Sequence, residues 1–175
     1  VARWIIVTEV VRDTLIAADP ENSESYSANA ETFLAELSAL DAWVRQSIAS
    51  IPENQRRLVT AHDAFQYFSQ SYGIEVFAPQ GISTEAEASV ADIQETIAYV
   101  VSHQVPAVFF ESSIPVDTIE AIIEGAAAQG HTLAIGGELY ADAMGAEGTP
   151  EGTYIGMIRH NTITIVTALG GNLAP

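Results

Sequence analysis

The stretch LVTAHDAF, residues 58–65, places an apolar run directly before a histidine, an aspartate and an amphipathic segment. A short continuous apolar run is typical of a strand that is buried on both faces of a sheet. The segment that follows, about residues 63–72, has the apolar spacing of a helix. This stretch therefore predicts a strand-to-helix junction, with His62 at the carboxyl end of the strand.

The same alternation continues along the chain after Pro52. The apolar runs cover residues 58–61, 74–78, 107–110 and 132–135, and the amphipathic segments cover about 63–72, 87–104, 115–129 and 152–170. Alternating strands and helices predict parallel strands with right-handed crossovers. We therefore expect an α/β fold with a four-stranded parallel sheet flanked by helices, in which Gly136-Gly137 lies where the last strand passes into a loop.

Two helices are predicted before this sheet. Residues 3–18 carry apolar side chains at helical spacing, and Asp19-Pro20-Glu21 suits the start of a second helix. From Tyr26 to Ile48, apolar residues recur at helical steps, which predicts a helix of unusual length. We divide the chain into the end of a preceding helical segment (1–19), a long linking helix (20–51) and a carboxy-terminal α/β lobe (52–175). We expect it to be part of a longer protein.

The composition argues against several kinds of partner and chemistry. Basic residues number 6, all of them arginine, against 23 acidic residues, for a formal net charge of −17. Nucleic acid and anionic membrane surfaces require a basic footprint, so neither is an expected partner. The chain has no cysteine, which excludes disulfides, thiolate metal sites and cysteine nucleophiles. No apolar run approaches the roughly 20 residues of a membrane helix.

Three polar residues follow the ends of predicted strands: His62 after the first, Glu111 after the third and Asp142 after the fourth. The carboxyl ends of parallel strands share one edge of a sheet, where ligands bind in open α/β folds. One imidazole and two carboxylates suit a divalent cation such as Mn²⁺, Fe²⁺ or Zn²⁺. The same groups could serve a metal-dependent hydrolase, with one carboxylate as the general base.

Simpler roles compete with this interpretation. Asp63, beside His62, is placed to cap the following helix, and Asp142 suits a helix cap or a turn. A carboxylate at Glu111 has no such simple role, because burying it directly after Val-Phe-Phe is costly unless it is paired or bound to a cation. Glu138 is the nearest competitor of Asp142 for a place at the site.

The other histidines suggest structural roles. His131 precedes the fourth strand and therefore belongs to the opposite edge of the sheet, while His103 ends a predicted helix and His160 lies within the last one. Glu85 and Glu87 suit a loop and helix start that could flank a cleft. Phosphate-binding, dinucleotide-binding and nucleophile-elbow motifs are absent from the sequence.

Five segments stand out together: RRLVTAHDAFQYFSQSYGIEV, GISTEAEASVADIQETI, VPAVFFESSIP, LYADAMG and GTYIGMIRHN. In this order, they resemble the second half of the bacterial metal-binding solute-binding proteins of manganese, zinc and iron ABC transporters (the cluster A-I group). The stretch AADPENSESYSANAETFLAELSALD resembles the long helix that links the two lobes of these proteins. The match runs from about residue 5 to residue 170.

The resemblance implies one lobe of a two-lobed protein that binds a metal between its lobes through four protein ligands. The resemblance assigns three of these ligands: His62 through the segment AHDAF, Glu111 through FESS and Asp142 through YADAMG. The last segment is commonly YSDSLG in relatives. The first ligand of the family is a histidine of the amino-terminal lobe, which is absent here. Residues 79–84 lack the histidine of zinc-type members, and a ligand at Glu111 points to the manganese or iron type. Its oxygen donors favour Mn²⁺ over Zn²⁺, so Mn²⁺ is the first candidate, with Zn²⁺ or Fe²⁺ as alternatives.

The implied function is the capture of a divalent transition metal, in the periplasm or outside the cell, for delivery to the permease of an ABC transporter. A lipid anchor upstream is compatible with this role, and no catalysis is implied. We expect weak metal binding without the missing lobe, affinity that requires a neutral His62, and self-association through the exposed lobe interface. The alternatives are the hydrolase and an adhesion or organic-solute binding module.

Overall fold

A computed structural model describes residues 1–83, 85 and 87–175, in two compact units. The first unit covers Val1–Arg45 and the second covers Gln46–Pro175. Each unit has its own packing and is described by itself. In the described part of the chain, no helix combines the length and the hydropathy that crossing a bilayer requires.

The first unit is helical. Helix α1 covers Ala2–Ala18, a 3₁₀ turn covers Pro20–Asn22, and helix α2 covers Ser23–Ala49 and so continues into the second unit. The sequence predicted one continuous helix over 20–51, but residues 20–22 form the 3₁₀ turn and the α-helix begins only after it. The helix ends before Pro52, because a proline disfavours helical backbone in the residue that precedes it. In this turn, Asp19 Oδ2 accepts hydrogen bonds from Asn22 Nδ2 and the Tyr26 hydroxyl, each at 2.8 Å.

Helix α1 is apolar and exposed. None of its residues is buried in the structure. Large apolar side chains lie on its surface, and they are Trp4, Ile6, Val7, Val10, Val11 and Leu15. A helix with apolar side chains around much of its circumference is usually covered by other protein.

The second unit is a four-stranded parallel sheet with helices, as the sequence predicted. Its strands are β1 Arg57–Val59, β2 Glu75–Phe77, β3 Ala107–Glu111 and β4 Ala134–Leu139, and its helices are α3 Gln66–Tyr72, α4 Val90–Ser102, α5 Asp117–Ala128 and α6 Tyr154–Ala168. Short 3₁₀ turns cover Glu53–Gln55 and Pro150–Gly152. The strand order is β2-β1-β3-β4. The chain leaves β1 towards one side and returns as β3 on the other, and open α/β sheets bind ligands at such a reversal of strand order.

The hydrophobic core lies between the sheet and the helices that pack against it. Val59 and Val108, which pair across β1 and β3, are both fully buried with Val100 of α4 and Ile122 of α5. Burying each side chain of this size contributes about 1.5–3 kcal/mol to stability. The core thus fixes β1 and β3 side by side, and with them the residues that follow each strand.

Strand β4 differs from the sequence prediction. The sequence placed the strand at residues 132–135 and the glycine pair at its exit, but Gly136 and Gly137 lie inside β4. Val108 pairs with Ile135 while Phe109 pairs with Gly137, so Gly136 is an extra residue in the ladder. A Cβ at Gly136 would lie 2.4 Å from Phe109 Cε1, and Gly137 has a φ of 130°. The bulge therefore needs both glycines, and bulges of this kind change the direction of the strand beyond them.

Candidate metal centre

His62 is held in place by backbone pairing beyond the end of β1. The Thr60 N–H donates to the Phe77 carbonyl, and the Asp63 N–H donates to the Gln80 carbonyl, both at 3.1 Å. His62 itself forms an isolated parallel bridge with Gln80. The side chain is 1% exposed. The sequence placed His62 directly after a strand, and the structure shows how the segment after β2 continues that pairing.

Glu111 is the last residue of β3 and is buried beside His62. Its Oε1 accepts a hydrogen bond from the backbone N–H of His62 at 2.9 Å, and its Oε2 lies 2.7 Å from His62 Nδ1. Burial raises the pKa of the Glu111 carboxyl, against the opposing effects of that hydrogen bond and of the His62 charge. The cost of burying this carboxylate is therefore only partly offset by the groups around it.

Asp142 reaches the same point from the loop after β4. Its Oδ2 lies 3.4 Å from His62 Nε2, and its side chain is 54% exposed. The structure thus brings all three predicted residues together. The His62 ring lies between the two carboxylates, with Nδ1 facing Glu111 and Nε2 facing Asp142.

Two atoms of this cluster are buried without a hydrogen bond. Among the described residues, neither His62 Nδ1 nor Glu111 Oε2 has a hydrogen-bond partner, although the two lie 2.7 Å apart. An imidazole nitrogen and a carboxylate oxygen that converge in this way are donors for a divalent cation, so the chemistry of the pair fits a metal ion.

The side chains of His62, Glu111 and Asp142 do not surround a common point in this structure. Within residues 1–83, 85 and 87–175, no group of three or more His, Asp or Glu side chains is arranged to hold a metal ion. The reason is the position of the His62 ring, because each carboxylate faces a different nitrogen of it. A shared ion would require one carboxylate to reorient, and the half-exposed Asp142 has more space to do so than the buried Glu111.

Asp63 does not cap a helix, so that sequence interpretation is wrong. Helix α3 begins only at Gln66, with Phe65 before it and no side-chain cap. Asp63 Oδ1 instead accepts a hydrogen bond from the Gln66 side-chain amide at 2.7 Å. The backbone pairing of His62 and Asp63 with Gln80 extends the sheet and delays the helix.

The other histidines lie in structural contacts. In each, a ring nitrogen contacts a backbone carbonyl. His131 Nε2 lies 2.8 Å from the Val105 carbonyl, and His103 Nδ1 lies 2.9 Å from the Tyr99 carbonyl. His160 Nε2 lies 3.0 Å from the Glu138 carbonyl. These contacts agree with the packing and hydrogen-bonding roles that the sequence suggested for them.

A cavity lies beside the loops that follow β2 and β3. Its volume is about 470 Å³, and Glu87, Gln80 and Asp117 are among its lining residues. Glu87 therefore does flank a cleft, as its position suggested. Residues 79–84 form the loop that was compared with zinc-type relatives, and Thr84 in this loop lies outside the described residues.

Sequence reasoning missed Asn161. This residue of α6 is 3% exposed, and its side-chain amide forms two hydrogen bonds with the backbone of Tyr140. A single asparagine within an amphipathic helix carries no sequence signal for such a contact. Only the packing of α6 against β4 reveals it.

Comparison with known proteins places this geometry in a family context. The chain is 46% identical over 166 residues to the manganese-binding lipoprotein MntA of Bacillus subtilis (strain 168), which covers 95% of this chain and 54% of the relative. It is also 46% identical over 166 residues to the zinc-binding protein TroA of Treponema pallidum, with the same coverage of 95% and 54%. The chain thus spans about half the length of these curated relatives.

Solved structures show the same fold. The structure of the periplasmic zinc-binding protein TroA of Treponema pallidum matches with a TM-score of 0.91, covering 95% of this chain and 60% of that one. Fe(III)-bound YtgA of Chlamydia trachomatis matches at 29% identity with a TM-score of 0.89, covering 98% of this chain and 62% of that one. A family model matches residues 1–168, and the chain belongs to the family that it describes: ZnuA, zinc-uptake complex component A, periplasmic.

Proposed function

We propose that this chain captures a divalent transition metal ion as part of a solute-binding protein that delivers the ion to the permease of an ABC transporter. The observation that carries the proposal is the buried contact of His62 Nδ1 with Glu111 Oε2, two potential metal donors without a hydrogen-bond partner among the described residues. The metal is the transported substrate here, and the proposal includes no catalytic step.

Three residues would bind the ion. His62 would coordinate it through a ring nitrogen, and Glu111 and Asp142 through carboxylate oxygens, which together neutralise a 2+ charge. The backbone pairing around His62 and the position of Glu111 in β3 hold two of these groups in place. The half-exposed Asp142 would complete the set by turning from His62 Nε2 towards the ion.

Manganese is the first candidate among the metals. Two carboxylates and one imidazole supply mostly hard oxygen donors, which suit Mn²⁺ more than they suit Zn²⁺. Relatives carry names that specify manganese, zinc and Fe(III), so the same fold is compatible with each of these ions. Zn²⁺ and Fe²⁺ are therefore the competitors to test beside Mn²⁺.

The setting of this activity is outside the cytoplasmic membrane. The family description specifies a periplasmic component of an uptake complex, and MntA is described as a lipoprotein. Residues 52–175 would form the metal-binding lobe, and residues 20–51 the helix that links it to an amino-terminal lobe. That second lobe would supply further ligands to the ion.

Isothermal titration calorimetry of the full-length protein with Mn²⁺ and Zn²⁺ tests the proposal. Replacing Glu111→Ala should weaken metal binding by more than about 100-fold, beyond the effect expected for a contact outside the ligand set. Glu138→Ala is the matched control, since Glu138 lies near the same edge but contacts His160 through its backbone carbonyl. Unchanged Mn²⁺ and Zn²⁺ affinity in the Glu111→Ala variant would refute the ligand assignment.

We also propose that the chain self-associates, and that helix α1, rather than the lobe interface expected from the sequence, carries the contact. The exposed apolar side chains of this helix, among them Ile6 and Val10, form a surface of the kind that usually marks an interaction site. A second copy of the chain carries the same apolar surface and is therefore the occupant that the proposal specifies. The oligomeric state in solution is the corresponding measurement.

A further inference from the structure

The backbone just beyond β4 is hydrogen-bonded by a side chain rather than by a strand. The ladder between β3 and β4 ends at the pair Glu111 and Leu139, and the Ser112 N–H donates to the Leu139 carbonyl at 3.2 Å. The next residue, Tyr140, donates its N–H to Asn161 Oδ1 at 3.0 Å, and its carbonyl accepts from Asn161 Nδ2 at 2.7 Å. One side-chain amide therefore satisfies both backbone groups of Tyr140.

Asn161 is an unusual residue for its position in α6. It is 3% exposed, and a buried amide without partners is costly. Asparagine is also a poorer helix former than the alanine or leucine that would fit the interior of an amphipathic helix. Both of its polar atoms bond to Tyr140, so the two hydrogen bonds that offset its burial are directed at one backbone position.

Tyr140 also packs against α6 through its ring. The ring lies edge-on to His160, with centroids 5.0 Å apart, and His160 Nε2 lies 3.0 Å from the Glu138 carbonyl. His160 and Asn161, which are adjacent in α6, thus contact Glu138 in β4 and Tyr140 just beyond it. The bulge at Gly136 turns the strand before this point, and these contacts with α6 fix the path that it takes afterwards.

Asp142 lies two residues beyond this fixed position. Its Oδ2 is 3.4 Å from His62 Nε2, while its own side chain is half exposed. We propose that Asn161 is a positioning residue, which fixes the backbone at Tyr140 and so presents Asp142 to the metal. This inference rests on the proposed metal-capture function and adds a residue that does not itself touch the ion.

A purely structural role for Asn161 would give a different result. Loss of its hydrogen bonds would then lower the stability of the fold and weaken metal binding to the same extent whatever residue stands at 142. A positioning role makes the effect of Asn161 depend on Asp142. A double-mutant cycle separates these two cases.

The cycle combines Asn161→Ala with Asp142→Asn, which keeps an amide oxygen at 142 so that binding remains measurable. Mn²⁺ dissociation constants come from calorimetry on the full-length protein, with folding checked by circular dichroism. Asn161→Ala alone should weaken binding about 10- to 100-fold, the range for residues that orient a ligand. In the Asp142→Asn background, the same substitution should have a clearly smaller effect, because the neutral amide oxygen contributes less to binding than the carboxylate does.

A second variant and a control complete the design. Asn161→Gln keeps a neutral amide but displaces it by one methylene group, so it cannot repeat both hydrogen bonds to Tyr140 in the same geometry. It replaces the alanine variant if that variant does not fold. It should show the same dependence on residue 142. Thr162→Ala removes a buried hydroxyl that bonds only within α6, to the Ile158 carbonyl at 2.8 Å, and should leave Mn²⁺ affinity unchanged.

The outcomes distinguish this inference from the function on which it rests. Equal losses from the Asn161 substitution in both backgrounds would overturn the positioning role and leave metal capture intact. An Asp142→Asn variant with unchanged affinity would instead contradict the assignment of Asp142 as a ligand. A structural readout supports the cycle, since amide hydrogen exchange at residues 140–143 of the metal-free protein should accelerate in the Asn161 variants and not in Thr162→Ala.

Discussion

At Glu111, the proposed role in metal binding and the stability of the fold would make opposing demands. The residue is 2% exposed, and only its Oε1 accepts a hydrogen bond from His62, while burial raises the pKa of its carboxyl. A buried negative charge is favourable next to a divalent cation and unfavourable without one. The metal-free fold therefore contains an electrostatic cost that binding would relieve.

Replacing Glu111→Gln should separate these two effects. Glutamine keeps the shape and an oxygen for the His62 N–H but carries no charge, so the metal-free protein should gain about 1 kcal/mol. That gain corresponds to a rise of about 2–4 °C in Tm for a chain of this size. Differential scanning calorimetry in the presence of a chelator measures the rise, and titration with Mn²⁺ should show weaker binding by the same variant.

The control for this prediction is Glu138→Gln, which makes the same chemical change at the neighbouring position of β4, one residue before the partner of Glu111 in the sheet. It should alter neither Tm nor Mn²⁺ affinity. A lower Tm for metal-free Glu111→Gln would mean that the carboxylate stabilises the fold even without metal, and would contradict the proposed conflict.

At the scale of single elements, α4 has the most complete start of the helices in the second unit. The Ser89 hydroxyl accepts a hydrogen bond from the Asp92 N–H at 3.2 Å, and Asp92 Oδ2 accepts from the Ser89 N–H at 3.0 Å. This reciprocal capping box satisfies two backbone donors that a helix otherwise leaves unpaired. Because α4 contributes Val100 to the core, its start also secures the packing of the sheet.

Loss of the Ser89 cap should destabilise the protein by about 1 kcal/mol at neutral pH. Urea unfolding of Ser89→Ala measures this change as a lower midpoint with an unchanged slope. Ser102→Ala, at the other end of α4, removes a hydroxyl that lies 3.1 Å from both the Tyr99 carbonyl and His103 Nδ1. It is the matched control and should have a smaller effect.

The capping box also predicts a pH dependence. Hydrogen bonds from the Ser89 side chain and then from its backbone lower the pKa of Asp92 below the ordinary value of 3.8. Because the pKa of Asp92 is lower in the folded protein, the Asp92 carboxylate contributes its full stabilisation at pH values above the ordinary pKa. This stabilisation is lost as the pH falls through the lowered pKa of the folded state. The difference between wild type and Ser89→Ala should therefore be smaller at about pH 3 than at about pH 7. An undiminished difference at the lower pH would contradict the role of the Asp92 carboxylate.

The elements also show where prediction from sequence succeeds and where it stops. Continuous apolar runs predicted four parallel strands, and burial on both faces explains this pattern for the two central strands, β1 and β3. In the edge strand β4, the sequence did not predict that the strand continues through the glycine pair, since Ile135 is 59% exposed and the glycine bulge has no apolar periodicity. His62, Glu111 and Asp142 could be grouped by topology, whereas Asn161 could not, because its function depends on a contact with a residue 21 positions away.

For the whole molecule, the charge agrees with a cationic substrate. A formal net charge of −17 creates a negative potential that attracts divalent cations and repels nucleic acid and anionic membrane surfaces. In the proposed function, the buried pair His62 and Glu111 would supply the specific contact that a general acidic surface lacks. The net charge would thus act at long range, on the encounter with the cation, and the site would act at short range, on its binding.

Self-association is the prediction that belongs to the whole molecule. Val10 is 59% exposed on α1, a helix without any buried residue, and apolar area of this kind drives association between copies. We expect sedimentation velocity to show concentration-dependent oligomers that Val10→Glu reduces. Val90→Glu is the matched control, because Val90 is 72% exposed on α4 and the same substitution adds the same charge. If both variants reduced association equally, net charge rather than the α1 surface would be responsible. A wild-type chain that remained monomeric across the concentration range would refute the proposal itself.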